Sequence, residues 1–198
     1  MKILSAKFIK SATAPEHYPD EALPEIAFAG KSNVGKSSLI NALVNKRGLA
    51  QTSSTPGRTR LINFFTVNDE LSLVDLPGYG YARAPEKIRN QWGPMIEKYL
   101  LQRKALRLVI VILDVRREIS QEDLSLFEWL QFHQIPYSPV LTKIDKVSKN
   151  DLSTQKKNIR SCLGLIDPIL AFSAVKGTGK DQIWKAILKA TKMNQTET

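Results

Sequence analysis

The fold is decided by the stretch Gly30-Lys31-Ser32-Asn33-Val34-Gly35-Lys36-Ser37. It matches the phosphate-binding pattern G-x-x-x-x-G-K-[ST], and it lies between a predicted strand at residues 24–29 and a predicted helix that runs to Val44. The glycines allow backbone N–H groups to turn inward around phosphate oxygens, at a helix N-terminus whose dipole also favours anions. We expect Lys36 to reach the β- and γ-phosphates of a nucleotide and the Ser37 hydroxyl to coordinate Mg²⁺.

Short apolar segments alternate with segments of helical periodicity through most of the chain. Residues 108–113 are apolar throughout, which is typical of a strand buried on both faces of a sheet. Residues 61–67 and 71–75 flank Asn68-Asp69-Glu70, a pattern that predicts a hairpin. The sequence therefore predicts an α/β P-loop NTPase fold, with a mostly parallel six-stranded sheet, one antiparallel strand and helices on both faces.

The length of 198 residues favours a single domain. We expect this domain over residues 23–192, with an extension at 1–22 packed on or beside it and a frayed tail at 193–198. No apolar run is long enough to span a membrane, and no apolar segment typical of a signal peptide stands near the N-terminus. The one cysteine, Cys162, excludes an intramolecular disulfide, and we expect it to be a buried apolar residue. These features favour a cytoplasmic protein with no membrane partner.

Basic residues outnumber acidic residues by 29 to 19, so the net charge is +10. The excess is spread along the chain, and a positive field of this size favours polyanionic partners, nucleic acid above all. A soluble surface that is simply rich in lysine explains the charge equally well. The best local candidates for phosphate contacts on RNA are Arg116-Arg117 and Lys156-Lys157-Arg160, although solvated faces are the commoner explanation of such clusters.

The second strand of the predicted hairpin ends in Asp75-Leu76-Pro77-Gly78. We expect Asp75, at the end of a strand beside the P-loop, to hold Mg²⁺ through water and the Gly78 N–H to meet the γ-phosphate. The tetrapeptide alone is weak, because turns of this composition are common. Its position after a P-loop makes it specific for a nucleotide site.

The next apolar strand is followed by Thr142-Lys143-Ile144-Asp145. A carboxylate accepts hydrogen bonds from both N1–H and the N2 amino group of guanine, whereas adenine offers no such pair of donors. Asp145 therefore predicts guanine specificity, with the stem of Lys143 over the face of the base. Taken alone, a lysine and an aspartate that solvate a loop would be the better interpretation. By position only, we expect the backbone of Phe172-Ser173-Ala174 to present an N–H to guanine O6.

These motifs together resemble the bacterial EngB family of ribosome-assembly GTPases, in the translation-factor class. The resemblance rests on the P-loop extended to Ser38, on Thr55-Pro56-Gly57-Arg58-Thr59, on Asp75-Leu76-Pro77-Gly78-Tyr79-Gly80-Tyr81-Ala82 and on Thr142-Lys143-Ile144-Asp145. It implies a monomeric Ras-like G domain that binds GTP and GDP with Mg²⁺ and hydrolyses GTP slowly. It also implies a switch in assembly of the large ribosomal subunit, with that subunit or its precursor as the partner, and a need for the protein in cell division and septation.

The resemblance also implies roles for individual residues. Thr59 is the switch threonine, which ligates Mg²⁺ beside Ser37 in the GTP state, although composition alone does not choose between Thr55 and Thr59. The residues implied in the reaction are Lys36, Asn33, Thr59 and Gly78. Further expected nucleotide contacts, besides the motifs already quoted, are Ser38, Gly57, Arg58, Arg60 and Leu61. Arg58 and Arg60 could instead touch a partner, and such arginines are more often simply solvated.

Position 79 carries a tyrosine where Ras-like proteins carry the glutamine that orients the attacking water. We expect slow hydrolysis for this reason, with another group completing the site. In related GTPases an asparagine at the position of Asn33 can help to bind K⁺, and the equal alternative is that Asn33 only stabilises the loop. A signalling GTPase with a protein effector is the second hypothesis for the whole chain, and Asp145 disfavours an ATP-dependent enzyme.

Overall fold

The computed structural model describes residues 1–51, 61–79, 86–166 and 168–192, with the backbone alone at residues 86–92. The strands are β1 (Ala6–Ala12), β2 (Glu25–Gly30), β3 (Ile62–Val67), β4 (Leu71–Asp75), β5 (Leu106–Asp114), β6 (Tyr137–Thr142) and β7 (Leu170–Ala171). The helices are α1 (Lys36–Leu43), α2 (Glu86–Gln102), α3 (Gln121–Phe132), α4 (Lys149–Cys162) and α5 (Lys180–Lys192). Short 3-10 turns cover Pro15–His17 and Ile144–Lys146.

The strands form one sheet in the order β1-β3-β4-β2-β5-β6-β7. β2 is parallel to both β4 and β5, and β6 is parallel to β5 and β7. β3 is antiparallel to its two neighbours, β4 and β1, so among the described strands it alone runs against the others. The α/β fold class, the hairpin and the antiparallel strand are confirmed. The sheet has seven strands where six were predicted, because the N-terminal segment adds β1.

Strand β1 lies within the segment that the sequence assigns to an extension. Its ends, Ala6 and Ala12, are buried, but the residues between them are mostly exposed, and the register against β3 shifts between Phe8 and Lys10. An edge strand with exposed lysines and an irregular register loses the alternation of apolar residues that sequence patterns detect. The domain limits stay predictions, and the tail at 193–198 lies outside the described residues.

An ion pair attaches the N-terminal segment to the sheet. The Arg103 guanidinium donates to both carboxylate oxygens of the buried Glu25, at 2.6 Å from Nη2 and 3.0 Å from Nε, and also to the Pro19 carbonyl at 2.6 Å. The Tyr99 hydroxyl donates to the same carboxylate at 2.9 Å. A buried carboxylate is tolerated only when it is paired and hydrogen-bonded, so this cluster stabilises the end of the sheet where β2 begins.

Two apolar layers cover the faces of the sheet. One contains residues of α1 and α5, and the other contains residues of α2, α3 and α4. Side chains of β5 alternate between the layers: Leu108, Ile110 and Ile112 face the first, and Val109, Val111 and Leu113 face the second. This alternation confirms the prediction of a strand buried on both faces.

The prediction for Cys162 was wrong, because its side chain is exposed. It is the last residue of α4, where Ile159 and Leu163 take the buried positions on either side of it. No helix among the described residues is long and apolar enough to cross a membrane.

Candidate nucleotide-binding site

The carboxyl ends of four adjacent parallel strands meet at one edge of the sheet. They are the ends of β4, β2, β5 and β6, which carry Asp75, Gly30, Asp114 and Thr142. In open α/β sheets ligands bind at this edge, where the loops after the strands come together. The topology therefore brings three of the predicted motifs to one place.

The P-loop connects β2 to α1 and has two residues in the left-handed region. Asn33 has φ of 65° and Gly35, which precedes the first helical residue, has φ of 106°. Gly30 has no such φ but stands close to β5: a Cβ atom there would lie 2.7 Å from the Ile112 carbonyl oxygen. The two glycines of the motif are therefore required for different reasons, a close approach at Gly30 and a backbone conformation at Gly35.

Lys36 and Asp75 are in direct contact. The Lys36 Nζ donates to Asp75 Oδ1, and both side chains are buried. This ion pair joins the first turn of α1 to the end of β4, so the P-loop and the second motif share one site. Ser37 follows Lys36 in the same turn and is half-buried.

The segment after Asp75 runs against the P-loop. Leu76 and Pro77 are buried, and a Cβ atom at Gly78 would lie 2.9 Å from Ser32 Oγ. The Ser32 N–H donates to the Tyr79 carbonyl at 3.3 Å. A side chain at position 78 would therefore collide with Ser32 of the P-loop unless one of the two residues shifted.

The guanine motif and the segment after β7 are also brought together. The Ser173 hydroxyl donates to Asp145 Oδ1 at 2.6 Å, and the Ile144 N–H is 3.4 Å from the Phe172 carbonyl. The hydrogen bond from Ser173 lowers the pKa of Asp145 below its usual value. Asp145 is therefore ionised at neutral pH, the state in which a carboxylate only accepts hydrogen bonds.

Lys143 links the guanine motif to the P-loop. It adopts the left-handed conformation, and its Nζ donates to the Asn33 carbonyl at 2.7 Å and to Asp114 Oδ2 at 2.8 Å. The preceding residue, Thr142, has its hydroxyl within hydrogen-bonding distance of the Val34 and Leu113 carbonyls. Adjacent residues of one motif therefore hold two consecutive carbonyls of the P-loop.

Asp114 is a site residue that the sequence reasoning missed. Its buried carboxylate accepts from Lys143 and from the Arg116 guanidinium at 2.9 and 2.7 Å, and from the Arg116 N–H at 3.1 Å. Burial alone would raise the pKa of Asp114, but the hydrogen bonds from Arg116 and Lys143 outweigh it and hold the pKa well below the usual range. The available signal was an aspartate that ends an apolar strand, as Asp75 does.

Helix α3 contacts both the P-loop and the segment that follows β4. The Tyr79 hydroxyl donates to Asp123 Oδ1 at 2.8 Å, and Lys31 Nζ lies 3.0 Å from Glu122 Oε2. The hydrogen bond from Lys31 lowers the pKa of Glu122 to about 2. Burial, and then the charge of Asp123, raise the pKa of Tyr79 well above 10, so its hydroxyl keeps the proton that it donates.

The remaining candidates fall into two groups. Ser38 is half-buried within α1, whereas Leu61 and Ala174 are exposed. The candidates that lie outside the described residues are Gly57, Arg58, Thr59 and Arg60.

Comparison with known proteins defines the family. A family model described as "50S ribosome-binding GTPase" matches residues 25–143, more than half of the chain. The probable GTP-binding protein EngB of Pelobacter propionicus is 53% identical over 198 residues, covering 100% of this chain and 99% of that protein. The same-named protein of Geobacter sulfurreducens is 55% identical over 188 residues, covering 94% and 91%. The chain belongs to the EngB family. It is therefore a guanine-nucleotide-binding protein and a GTPase, as the resemblance implies.

Solved structures of G domains share the fold. A crystal structure of a probable GTP-binding protein EngB superposes with a TM-score of 0.72 at 22% identity, over 85% of this chain and 98% of that one. Era, in complex with MgGDPNP and nucleotides 1506–1542 of 16S ribosomal RNA, superposes with a TM-score of 0.69 at 22% identity, over 85% and 56%. At this identity the two structures show only that the fold is shared.

The role of Asp114 gives a prediction about stability and pH. Asp114→Asn removes the charge that Arg116 and Lys143 share, so we expect the free energy of unfolding to fall by about 2 kcal/mol at pH 7. The folded pKa lies below the unfolded value of about 3.9, so this stabilisation is complete above about pH 5 and is lost as the pH falls below that value. The difference between wild type and variant should therefore be constant from pH 7 to 5 and shrink towards pH 3.

Urea unfolding at these three pH values measures that difference. Asp181→Asn is the matched control, because it removes the same charge from an exposed position on α5. A difference for Asp114→Asn that stays undiminished at pH 3 would contradict the assignment of the stabilisation to the ionised carboxylate.

Proposed function

We propose that this GTPase alternates between GTP-bound and GDP-bound forms with Mg²⁺ and acts as a switch in assembly of the large ribosomal subunit. The observation that carries the nucleotide part is the convergence of the Lys36–Asp75 pair, the P-loop and the Asp145–Ser173 pair at one sheet edge. The family description and the net charge of +10 support the ribosomal part. The proposal includes a cytoplasmic monomer whose loss impairs cell division and septation by limiting ribosome supply.

In the proposed complex each motif meets one part of the nucleotide. Lys36 contacts the β- and γ-phosphates, the Gly78 N–H meets the γ-phosphate, and Asp145 accepts from the edge of guanine. The stem of Lys143 covers the base, and the backbone of residues 172–174 lies near O6. Ser37 and Thr59 ligate Mg²⁺, with Asp75 joined to the ion through water.

The residues present fit a magnesium ion. A serine hydroxyl at the start of α1 and a carboxylate at the end of β4 are oxygen donors of the kind that Mg²⁺ prefers. Among the described residues no group of three or more His, Cys, Asp or Glu side chains stands together as a metal cluster. An ion held here would therefore complete its coordination with phosphate oxygens and water, which is typical of Mg²⁺ in nucleotide sites.

Asp145→Asn tests the assignment of the guanine pocket. Asparagine presents an N–H donor where the carboxylate accepts, so we expect GTP and GDP affinity to fall about tenfold or more, with a shift towards xanthosine nucleotides. Xanthine carries an acceptor oxygen at position 2 in place of the amino group. Equilibrium titration with guanosine and xanthosine diphosphates measures the change, and Asp151→Asn, which alters an exposed aspartate at the start of α4, serves as control. Unchanged guanine affinity in Asp145→Asn would rule out the pocket.

The proposal of slow hydrolysis includes a K⁺ ion near Asn33. Asn33 is exposed, and its carbonyl accepts from Lys143, which stabilises the left-handed turn from which its side chain extends. If the side-chain oxygen helps to bind K⁺, turnover should be faster in K⁺ than in Na⁺, and Asn33→Asp should alter that difference. Single-turnover GTP hydrolysis in matched chloride salts measures both. Equal rates in the two salts would leave completion of the site to a partner.

The proposed contact with the ribosome is electrostatic and involves basic side chains on the surface of this chain. On α4, Lys157 and Arg160 are exposed and Lys156 is half-buried. The Arg160 guanidinium also donates to the Leu165 and Ile166 carbonyls at 3.0 and 2.6 Å, so it stabilises the turn after α4. Lys156 and Lys157 are therefore the better positions to substitute, because a change at Arg160 would also disturb this turn. A solved structure of Era, which shares this fold over 56% of its chain, is a complex with a segment of 16S ribosomal RNA.

Co-sedimentation with large ribosomal subunits tests this part. We expect binding to weaken steeply with salt, because each neutralised phosphate releases counterions, and to be tighter with a non-hydrolysable GTP analogue than with GDP. Lys156→Gln combined with Lys157→Gln should reduce binding more than Lys185→Gln combined with Lys189→Gln, which removes the same charge from α5. Binding that ignores both salt and nucleotide would contradict the assembly switch and favour a signalling GTPase with a protein effector.

A further inference from the structure

Tyr79 is held on two sides. Its backbone forms a bridge with Lys31, and its carbonyl accepts from the Ser32 N–H at 3.3 Å. Its side chain crosses to α3, where the hydroxyl donates to Asp123 Oδ1 at 2.8 Å. Tyr79 therefore connects the end of residues 76–79 to the P-loop through its main chain and to α3 through its side chain.

The α3 end of this connection is held by further hydrogen bonds. Asp123 is buried, and its second carboxylate oxygen accepts from the Ser120 N–H at 3.0 Å and from the Ser120 hydroxyl at 2.7 Å. This capping arrangement fixes the Asp123 side chain at the start of α3. A second contact in the same place, between Lys31 and Glu122, holds the P-loop to the first turn of α3.

In the proposed nucleotide site the γ-phosphate of GTP competes with these contacts. In the proposed nucleotide site the Gly78 N–H meets the γ-phosphate, but here Gly78 lies against Ser32, too close for a side chain to enter. Lys36 likewise bonds Asp75, although it is the group expected to reach the γ-phosphate. GTP must therefore move Gly78 and Tyr79 away from the P-loop, whereas GDP, which lacks that phosphate, leaves them in place.

We propose that Tyr79 and Asp123 are a specificity-determining pair that sets the preference of this GTPase between GDP and GTP. Their hydrogen bond stabilises the arrangement in which Gly78 and Tyr79 lie against the P-loop, and it thereby favours GDP. The inference rests on the proposed phosphate positions and goes beyond them, because it assigns a role to α3, a helix that contributes no residue to the quoted nucleotide motifs.

The experiment compares the affinity of each variant for GDP and for a non-hydrolysable GTP analogue, both with Mg²⁺. Tyr79→Phe keeps the ring and removes only the hydroxyl. We expect the ratio of analogue affinity to GDP affinity to rise about tenfold, the value of a hydrogen bond to a charged acceptor at the lower end of its range. Asp123→Asn should shift the ratio in the same direction. The double variant should shift it by less than the sum of the two single shifts in binding free energy, because both changes break one bond.

Tyr137→Phe is the matched control. Its hydroxyl accepts from Gln131, also on α3, at 2.7 Å, so the change removes a tyrosine hydroxyl bond to the same helix away from the P-loop. We expect its affinity ratio to equal that of wild type. An unchanged ratio in Tyr79→Phe, a shift towards GDP, or full additivity in the double variant would overturn the proposal. Failure of the wild-type protein to bind GDP would instead contradict the proposed nucleotide site.

Discussion

The buried ion pair between Lys36 and Asp75 is the contact on which the arrangement of the site depends. Both groups are removed from water, so each needs a partner of opposite charge, and separating them without a replacement would cost several kcal/mol. A phosphate anion is such a replacement for Lys36, and a hydrated divalent cation is one for Asp75. The pair therefore holds the end of β4 to the start of α1 while leaving both side chains ready to exchange partners.

The P-loop itself is held from both sides. On one side Thr142 and Lys143 donate to the carbonyls of Val34 and Asn33. The Asp114 carboxylate in turn accepts a hydrogen bond from the ammonium group of Lys143. Because these partners are anchored at the ends of β5 and β6, the loop conformation is set by the sheet and not by the loop alone. Phosphate-binding N–H groups that are already oriented lose little entropy when an anion arrives.

The parts of the fold and site that the sequence predicted are those with a periodic or positional signature. The uninterrupted apolar run of β5 reflects burial on two faces, and Lys36, Asp75 and Asp145 stand at fixed places after strands. Strand β1 was not predicted, because an irregular edge strand shows no alternation. The Asp114–Lys143 and Tyr79–Asp123 contacts were not predicted either, since they join residues that are 29 and 44 positions apart and only the packed structure brings them together. Cys162 was misjudged because free cysteines are usually buried, whereas its place at the end of α4 exposes it.

The two sides of the P-loop differ in a way that suits a switch. The contacts from Thr142 and Lys143 involve no group expected to meet the γ-phosphate, so they need not change when the nucleotide does. The contacts from Asp75 and Tyr79 involve the groups that a third phosphate would claim, and they lie on the side from which Gly78 approaches. A fixed anchor on one side and exchangeable partners on the other confine the response to the segment after β4. Because the Tyr79 hydroxyl donates to Asp123 on α3, the proposed response would extend from this segment to that helix.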